Sequence, residues 1–212
     1  MTNTMSATGK VLSVFALLAS ATAQTHLVSQ PSPAAAGPAY DVSIGYTNLT
    51  MMAPSAGNVN MNGVDASGFV AFSRHWGATV DTSFLRASNV LSTPHQAYVL
   101  TSQLGPVFYP FEHRNTRALL HGLVGAGLID SAVPASQTEY FHGWLLRPAY
   151  TVGGGVEHAL SPTFSLRVMG DYLRTSFYDN TGTVQPQNNL RVTASFVFRL
   201  KERPRRLRSE TR

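Results

Sequence analysis

One stretch near the C-terminus decides the fold: Asn188-Asn189-Leu190-Arg191-Val192-Thr193-Ala194-Ser195-Phe196-Val197-Phe198-Arg199-Leu200. Its even-numbered positions from residue 190 onward are all apolar. They are Leu190, Val192, Ala194, Phe196, Phe198 and Leu200. The odd-numbered positions between them are polar except for Val197. A period of two is typical of a β-strand with one apolar face and one polar face.

The two arginines on the polar face indicate where each face points. A soluble barrel turns its apolar face inward and would leave Arg191 and Arg199 on the outside of a strongly aromatic strand. A membrane barrel turns the apolar face to lipid and the polar face to the lumen. We therefore predict the closing strand of a transmembrane barrel, with residues 190, 192, 194, 196, 198 and 200 facing lipid.

Seven earlier segments show the same alternation. In the first, Tyr40, Val42, Ile44 and Tyr46 alternate with small or polar residues. The pattern predicts an all-β, eight-stranded, antiparallel up-and-down transmembrane β-barrel over residues 39–200. An even number of strands places both termini on the periplasmic side. We expect periplasmic turns near residues 73–76, 108–115 and 159–162, and longer extracellular loops near residues 50–60, 88–95, 129–143 and 176–188.

The segments outside the barrel differ in composition. Residues 1–23 are typical of a signal peptide, with Lys10, an apolar core at 11–19 and the cleavage pattern Ala21-Thr22-Ala23. Residues 24–38 are rich in Pro, Ala and Ser and indicate a linker. Residues 201–212 are predicted to be a basic, disordered tail. The chain has no cysteine, which excludes disulfides and thiolate metal sites.

The net charge of +5 comes from the ends of the chain. Lys10 contributes one positive charge, and the tail has six basic and two acidic residues. The nine arginines and nine acidic residues of the barrel region cancel. A nucleic-acid partner is therefore not expected, because no basic patch is interleaved with aromatic residues.

Five acidic and five basic side chains share the parity of the polar faces and are predicted to point inward. Eight strands enclose only enough room for side chains, so these charges must pair or lie beside trapped water. Arg167 is expected between Glu157 and Asp171. A structural polar plug is the preferred interpretation, and a gated proton or ion path is the alternative. The predicted residues are Asp41, Asp65, Asp81, Glu157 and Asp171 with Arg117, Arg147, Arg167, Arg191 and Arg199.

Several short segments of these strands carry a family resemblance. They are Val64-Asp65-Ala66-Ser67-Gly68, Leu104-Gly105-Pro106, Gly153-Gly154-Gly155-Val156-Glu157, Leu166-Arg167-Val168 and the closing strand. The sequence resembles small bacterial outer-membrane β-barrels related in architecture to the OmpA transmembrane domain. This resemblance implies the bacterial outer membrane as location, with membrane lipid and the barrel-assembly machinery as partners of a monomer. Chains of this family usually end at the terminal aromatic strand, whereas this one continues for twelve residues.

No motif in the chain indicates a specific reaction. The histidines are not at metal-ligand spacing, and Gly153-Gly154-Gly155 lacks the Gly-Lys-Ser/Thr of a phosphate loop. Ser131, with His95 or His142, is the one candidate for acyl transfer, expected at an outer loop. We expect no enzyme and no cofactor, but a structural or interaction barrel that acts through its extracellular loops and has no wide pore. The alternatives are an outer-membrane lipid A acyl-modifying enzyme and a soluble ligand-binding β-barrel.

Overall fold

A computed structural model describes residues 39–53, 57–88, 95–134, 140–178 and 184–200. Eight antiparallel strands follow one another around a closed barrel, in which β1 pairs with both β2 and β8. The predicted fold class is confirmed. The predicted signal peptide, linker and tail lie outside the described residues. The strands are β1 (Ala39–Ala53), β2 (Gly57–Ala71), β3 (Trp76–Ser88), β4 (Gln96–His113), β5 (Thr116–Pro134), β6 (Tyr140–Ala159), β7 (Phe164–Tyr178) and β8 (Val184–Arg199).

The pairing register determines how far the strands tilt. A path that steps from each residue to its partner on the next strand starts at Trp144 of β6 and returns to β6 at Gly154, ten residues away. The path runs through Asp130, Tyr98, Arg86, Asn62, Asn48, Val192 and Gly170. A stagger of ten residues over eight strands tilts the strands by about 40° from the barrel axis.

The two ends of the barrel are distinct. The terminal end, as we call it, carries the start of β1, the end of β8 and the turns at residues 72–75, 114–115 and 160–163. The hairpin end carries the other four connections. The strands run further than the sequence indicated: β4 continues to His113 with a bulge between Phe108 and Phe111, where a turn was predicted.

The predicted loops near residues 50–60, 129–143 and 176–188 are likewise mostly strand. Polar residues there had indicated loops, but cross-strand pairs keep them in the sheet. Thr50, for example, donates to Asn60 Oδ1 at 3.0 Å.

The outer face of the barrel is apolar. All six closing-strand residues predicted to face lipid are exposed, and Phe196 keeps 49% of its surface accessible whereas Ser195 keeps 3%. Aromatic side chains lie on the outside near the terminal end, including Tyr40, Trp76 and Phe198. Among the described residues there is no helix that is long and apolar enough to cross a membrane. A closed barrel with this outer face is a membrane-spanning barrel.

The interior is layered. Ion pairs fill the middle and the terminal end, beside an apolar cluster that includes Phe69, Tyr109 and Leu119. Toward the hairpin end the lumen is filled with apolar side chains, which we call the hairpin-end plug. The polar interior predicted from the sequence therefore does not extend to the hairpin end. The buried members of the plug are Leu49, Met51, Met61, Leu85, Ala87, Ala97, Val99, Ile129, Ala149, Leu173 and Phe177.

Candidate functional site

Glu157 on β6 is the centre of a group of charges at the terminal end of the lumen. Its register partners on the neighbouring strands are Arg117 on β5 and Arg167 on β7. Arg117 Nη2 lies 2.8 Å from Glu157 Oε1, and Arg167 Nη2 lies 2.8 Å from Oε2. Arg199 Nη2 on β8 approaches Oε1 at 3.2 Å. The carboxylate has no exposed surface and is shared by three guanidinium groups.

Asp41 completes this group. Arg117 Nη2 donates to Asp41 Oδ2 at 3.1 Å, and its guanidinium lies 4.6 Å from the centre of the Tyr109 ring. Arg199 is less buried than the others and lies at the rim, where it also donates to the Pro162 carbonyl at 3.4 Å. We call Asp41, Arg117, Glu157, Arg167 and Arg199 the terminal ion cluster. It holds three positive and two negative groups.

A second group surrounds Arg191, which is 1% exposed. Its Nε and Nη2 donate to Asp171 Oδ2 at 2.9 and 2.7 Å. Its Nη1 donates to Asp81 Oδ1 at 2.8 Å and lies 3.7 Å from Asp65 Oδ2. His121 Nε2 lies 2.9 Å from the second oxygen of Asp171. We call these five residues the central ion cluster.

Gly153 allows His121 and Asp171 to meet. It lies between them in the sheet, paired with His121 on β5 and with Asp171 on β7. A Cβ atom at residue 153 would lie 2.0 Å from Asp171 Oδ1. The missing side chain therefore leaves room for a hydrogen bond that spans an intervening strand.

A cavity of about 30 Å³ opens beside the central ion cluster. This volume is enough for one or two water molecules. Asp65 Oδ2 lines the cavity and has no hydrogen-bond partner among the described residues. A water molecule there would satisfy this oxygen. Serine and threonine hydroxyls line the same cavity, at Ser43, Ser67, Thr79, Thr193 and Ser195.

The charges of the two clusters nearly balance. Together they contain five carboxyl groups and four guanidinium groups, and His121 is the remaining titratable member. A low-dielectric lumen favours such balance, because an unpaired buried charge is costly. The geometry is that of two buried ion clusters whose members hold one another in place.

The structure buries most of the predicted inward residues, but one predicted contact differs. Asp41, Asp65, Asp81, Glu157, Arg167, Asp171 and Arg191 are buried, and Arg199 is partly buried. Arg167 contacts Glu157 as expected, but Asp171 pairs with Arg191 and His121 instead. Arg167 and Asp171 lie four residues apart on one strand, about 13 Å, which is too far for direct pairing.

Two other expectations are corrected. Arg147 was expected in the lumen but is exposed. It lies near the level of the hairpin-end plug, where a guanidinium would lose its hydration without gaining a partner. Ser131, expected at an outer loop, lies within β5 and pairs with Ala97 and Gly143. The side chain of His142 lies outside the described residues.

Sequence reasoning missed the hairpin-end plug. Leu49, Leu85, Val99 and Leu173 occupy inward positions on their strands and are fully buried. The available signal was a change of face toward the hairpin end, where inward positions become apolar while outward positions such as Asn48 and Arg86 become polar. Side chains of this kind close the lumen above the central ion cluster.

Within the described residues no group of three or more His, Cys, Asp or Glu is placed to hold a metal ion.

Comparisons with known proteins identify solved structures that have a similar fold. No family model matches the chain, and no curated protein matches it. Among solved structures, Neisserial surface protein A superposes with a TM-score of 0.60 at 13% identity, covering 76% of this chain and 98% of that one. The attachment invasion locus protein Ail of Yersinia pestis gives 0.56 at 18% identity, covering 76% and 98%. A second structure of Ail, with the heparin analogue sucrose octasulfate, gives 0.50 at 17% identity, covering 76% and 99%.

These similarities and the apolar outer face define the class of protein. The chain is an eight-stranded β-barrel of the bacterial outer membrane, similar at the level of fold to the OmpA transmembrane domain.

Proposed function

We propose that this protein is a closed surface barrel that presents the paired strands of its hairpin end to partners outside the cell. In this orientation the terminal end faces the periplasm, as in bacterial barrels with an even number of strands. The proposal rests on one observation above all: the strands are longer than a membrane crossing needs.

Strand length supports a projecting region. A transmembrane strand needs about 9–11 residues. The strands here have 13 to 20 residues, and β1 and β2 have 15 each. The surplus is ordered sheet rather than loop. A rigid sheet is a better platform for recognition than a mobile loop, because little conformational entropy is lost on binding.

The outward face of β1 to β4 carries polar groups toward the hairpin end. Asn62 Oδ1 accepts from Tyr46 Oη at 2.5 Å and from Asn48 Nδ2 at 2.8 Å. Arg86 Nη2 donates to Gln96 Oε1 at 2.9 Å, and its guanidinium lies 5.8 Å from the Tyr98 ring centre. We call Tyr46, Asn48, Thr50, Asn60, Asn62, Arg86, Gln96 and Tyr98 the polar ladder. Amides, hydroxyls, an arginine and aromatic rings together suit a saccharide that carries anionic groups.

The closed interior supports display over transport. The hairpin-end plug fills the lumen with apolar side chains, and ion pairs occupy the remaining length. An aqueous path for solutes would have to displace both. The enzymatic alternative has no comparable support, since Ser131 lies within β5.

Binding to immobilised heparin tests the proposal with a defined probe. The folded protein in detergent should be retained at low salt, and Arg86→Gln should weaken retention several-fold. Arg74→Gln is the matched control, because Arg74 is an exposed arginine in the turn at the terminal end, 3.9 Å from Glu112. Equal retention of both variants, or no retention of the unmodified protein, would contradict recognition of an anionic saccharide by the polar ladder.

A further inference from the structure

The apolar outer surface reaches different heights around the barrel. On β6 the outward residues from Val156 up to Trp144 include none with a charged or amide side chain. This column spans twelve residues, about 30 Å along the barrel axis at a strand tilt of about 40°. On β1 the corresponding column runs only from Tyr40 to Tyr46, about 15 Å along the axis. Asn48 and Thr50 follow it.

The boundary between apolar and polar residues is oblique. Because the strands tilt, each step from β1 toward β6 along the pairing register rises about 3 Å toward the hairpin end. On each strand the boundary is the first outward residue, counted from the terminal end, with a charged or amide side chain. On β1 this residue is Asn48. On β3 it is Arg86, which lies about 6 Å closer to the hairpin end along the barrel axis. Relative to Asn48, the boundary is about 12 Å higher on β5, at Asp130, and about 4 Å higher on β7, at Arg174.

Around the circumference the boundary rises from β1 to β5 and β6 and is lower again on β7 and on β8, where Asn188 lies about 7 Å above Asn48. The highest apolar positions lie on β5 and β6, and the lowest boundary lies on the opposite strands, β1 and β2. A flat membrane surface that cuts a tilted cylinder produces such a boundary. Arg86 and Arg174 lie at intermediate heights on strands halfway between the two extremes. Arginine suits this level, since its stem packs on lipid while its guanidinium reaches the headgroups.

We propose that the outward face of β6 is covered by membrane lipid as far as Trp144, so that the barrel axis is inclined to the bilayer normal. An offset of 12–15 Å across a small barrel corresponds to an inclination of roughly 30°. Leu146 and Trp144 continue the outward column of Val152, Tyr150 and Pro148, which carries no charge. The exposed Arg147 lies beside this column, and its stem can pack on lipid while its guanidinium reaches the headgroups. Trp144 is 52% exposed and Leu146 is 63% exposed, so both are available to lipid.

The inclination has a consequence for the polar ladder. It lowers the β5 and β6 side into the membrane and lifts the β1 and β2 side out of it. Thr50 and Asn60 then stand above the lipid, whereas an upright barrel would leave Trp144 in water and Thr50 close to the headgroups. The inference depends on the membrane location and not on the saccharide partner.

Tryptophan fluorescence tests this placement, because Trp76 and Trp144 are the two tryptophans of the chain. Trp76→Phe leaves Trp144 as the sole reporter, and Trp144→Phe leaves Trp76 in the aromatic belt of the terminal end. A third protein combines Trp76→Phe and Trp144→Phe with Thr50→Trp, so that its single tryptophan lies on β1, on the opposite side of the barrel from β6. Each protein is refolded into phosphatidylcholine vesicles with or without bromine atoms on the acyl chains, and heat-modifiable migration on gels confirms folding.

Trp144 and Trp76 should each lose about half or more of their emission in brominated lipid, as expected for aromatic residues of a membrane belt. The reporter at residue 50 should lose little. The result should not depend on the protein-to-lipid ratio. Quenching of Trp144 that is no greater than that of the reporter at residue 50 would overturn the proposal. Quenching that appears only at high lipid ratios would also overturn it, by indicating that a second copy covers the patch.

A second measurement guards against a tryptophan variant that does not fold. The chain has no cysteine, so Leu146→Cys and Asn60→Cys provide single sites for a nitroxide label. The label at residue 146 should be accessible to oxygen, which concentrates in lipid, and the label at residue 60 to a water-soluble nickel complex. The opposite pattern would contradict the inclination.

Discussion

Arg191 and Asp171 face each other across β7 and β8, and Arg191 donates from Nε and Nη2 to a single Asp171 oxygen. The positive charge of Arg191 also balances the negative charges of Asp81 and Asp65. Removing the guanidinium would leave three carboxylates crowded in a buried space. Arg191→Leu should therefore destabilise the barrel by about 3–5 kcal/mol. Urea unfolding in lipid vesicles measures this loss.

The matched control for that change is Arg174→Leu, an exposed arginine two positions beyond Tyr172 on the outer face of β7. It should change stability by less than about 1 kcal/mol. Equal losses for the two variants would show that the central ion cluster does not support the fold.

The terminal ion cluster predicts an asymmetry between Glu157 and Arg167. Arg167→Met leaves Glu157 paired with Arg117 and Arg199. Glu157→Gln instead removes the charge that three arginines share. We expect Glu157→Gln to cost about 3–5 kcal/mol and Arg167→Met clearly less. The double variant should cost less than the sum of the single ones, and additive losses in unfolding titrations would argue against coupling.

Gly153 predicts a steric effect on the His121–Asp171 contact. A methyl group at residue 153 would overlap Asp171 Oδ1 and lie 2.7 Å from the Gly170 carbonyl oxygen. Gly153→Ala should therefore cost about 1–3 kcal/mol through the lost hydrogen bond and the shift of the backbone. Gly122→Ala is the control, because a Cβ there meets nothing within 4 Å. Comparable unfolding midpoints for the two alanine variants would contradict this role.

The alternation of residues was enough to predict the strand count, the closure and the direction of each face. Phe196 and Ser195 illustrate why: neighbours on a strand must point to opposite sides, whatever the register. Pairing between charges was not predictable in the same way. Arg167 and Asp171 share a parity, but the register of β8 determines that Asp171 meets Arg191. Register depends on all eight strands closing together, which no single segment specifies.

The hairpin-end plug escaped prediction for a different reason. Leu49 and Leu173 lie at inward positions, where a polar lumen was expected. The alternation rule assumes that every inward residue meets the same surroundings along the lumen. In this barrel the lumen changes from ion pairs to apolar packing along its length, because side chains alone fill the space inside eight strands.

The tail, residues 201–212, remains a prediction, since it lies outside the described residues. Its net charge of +4 should give a weak, salt-sensitive attraction to anionic lipid. Deleting it should preserve folding, because β8 ends at Arg199. Binding of the truncated protein to anionic vesicles should fall at low salt and stay unchanged at high salt. Failure of the truncated protein to assemble would instead assign the tail to folding.

The lipid face predicts a strong penalty for charge at Phe196. This residue lies near the middle of the outward apolar column of β8, between Val192 and Leu200, and stacks on Phe164 with ring centres 5.4 Å apart. Phe196→Arg should therefore cost about 2–4 kcal/mol, the range for arginine near the bilayer midplane. Thr50→Arg places the same charge on the outer face of β1 beyond the apolar column, where the cost should be below about 1 kcal/mol. Unfolding titrations in vesicles compare the two, and a penalty at residue 50 as large as that at residue 196 would mean that lipid depth does not determine the effect.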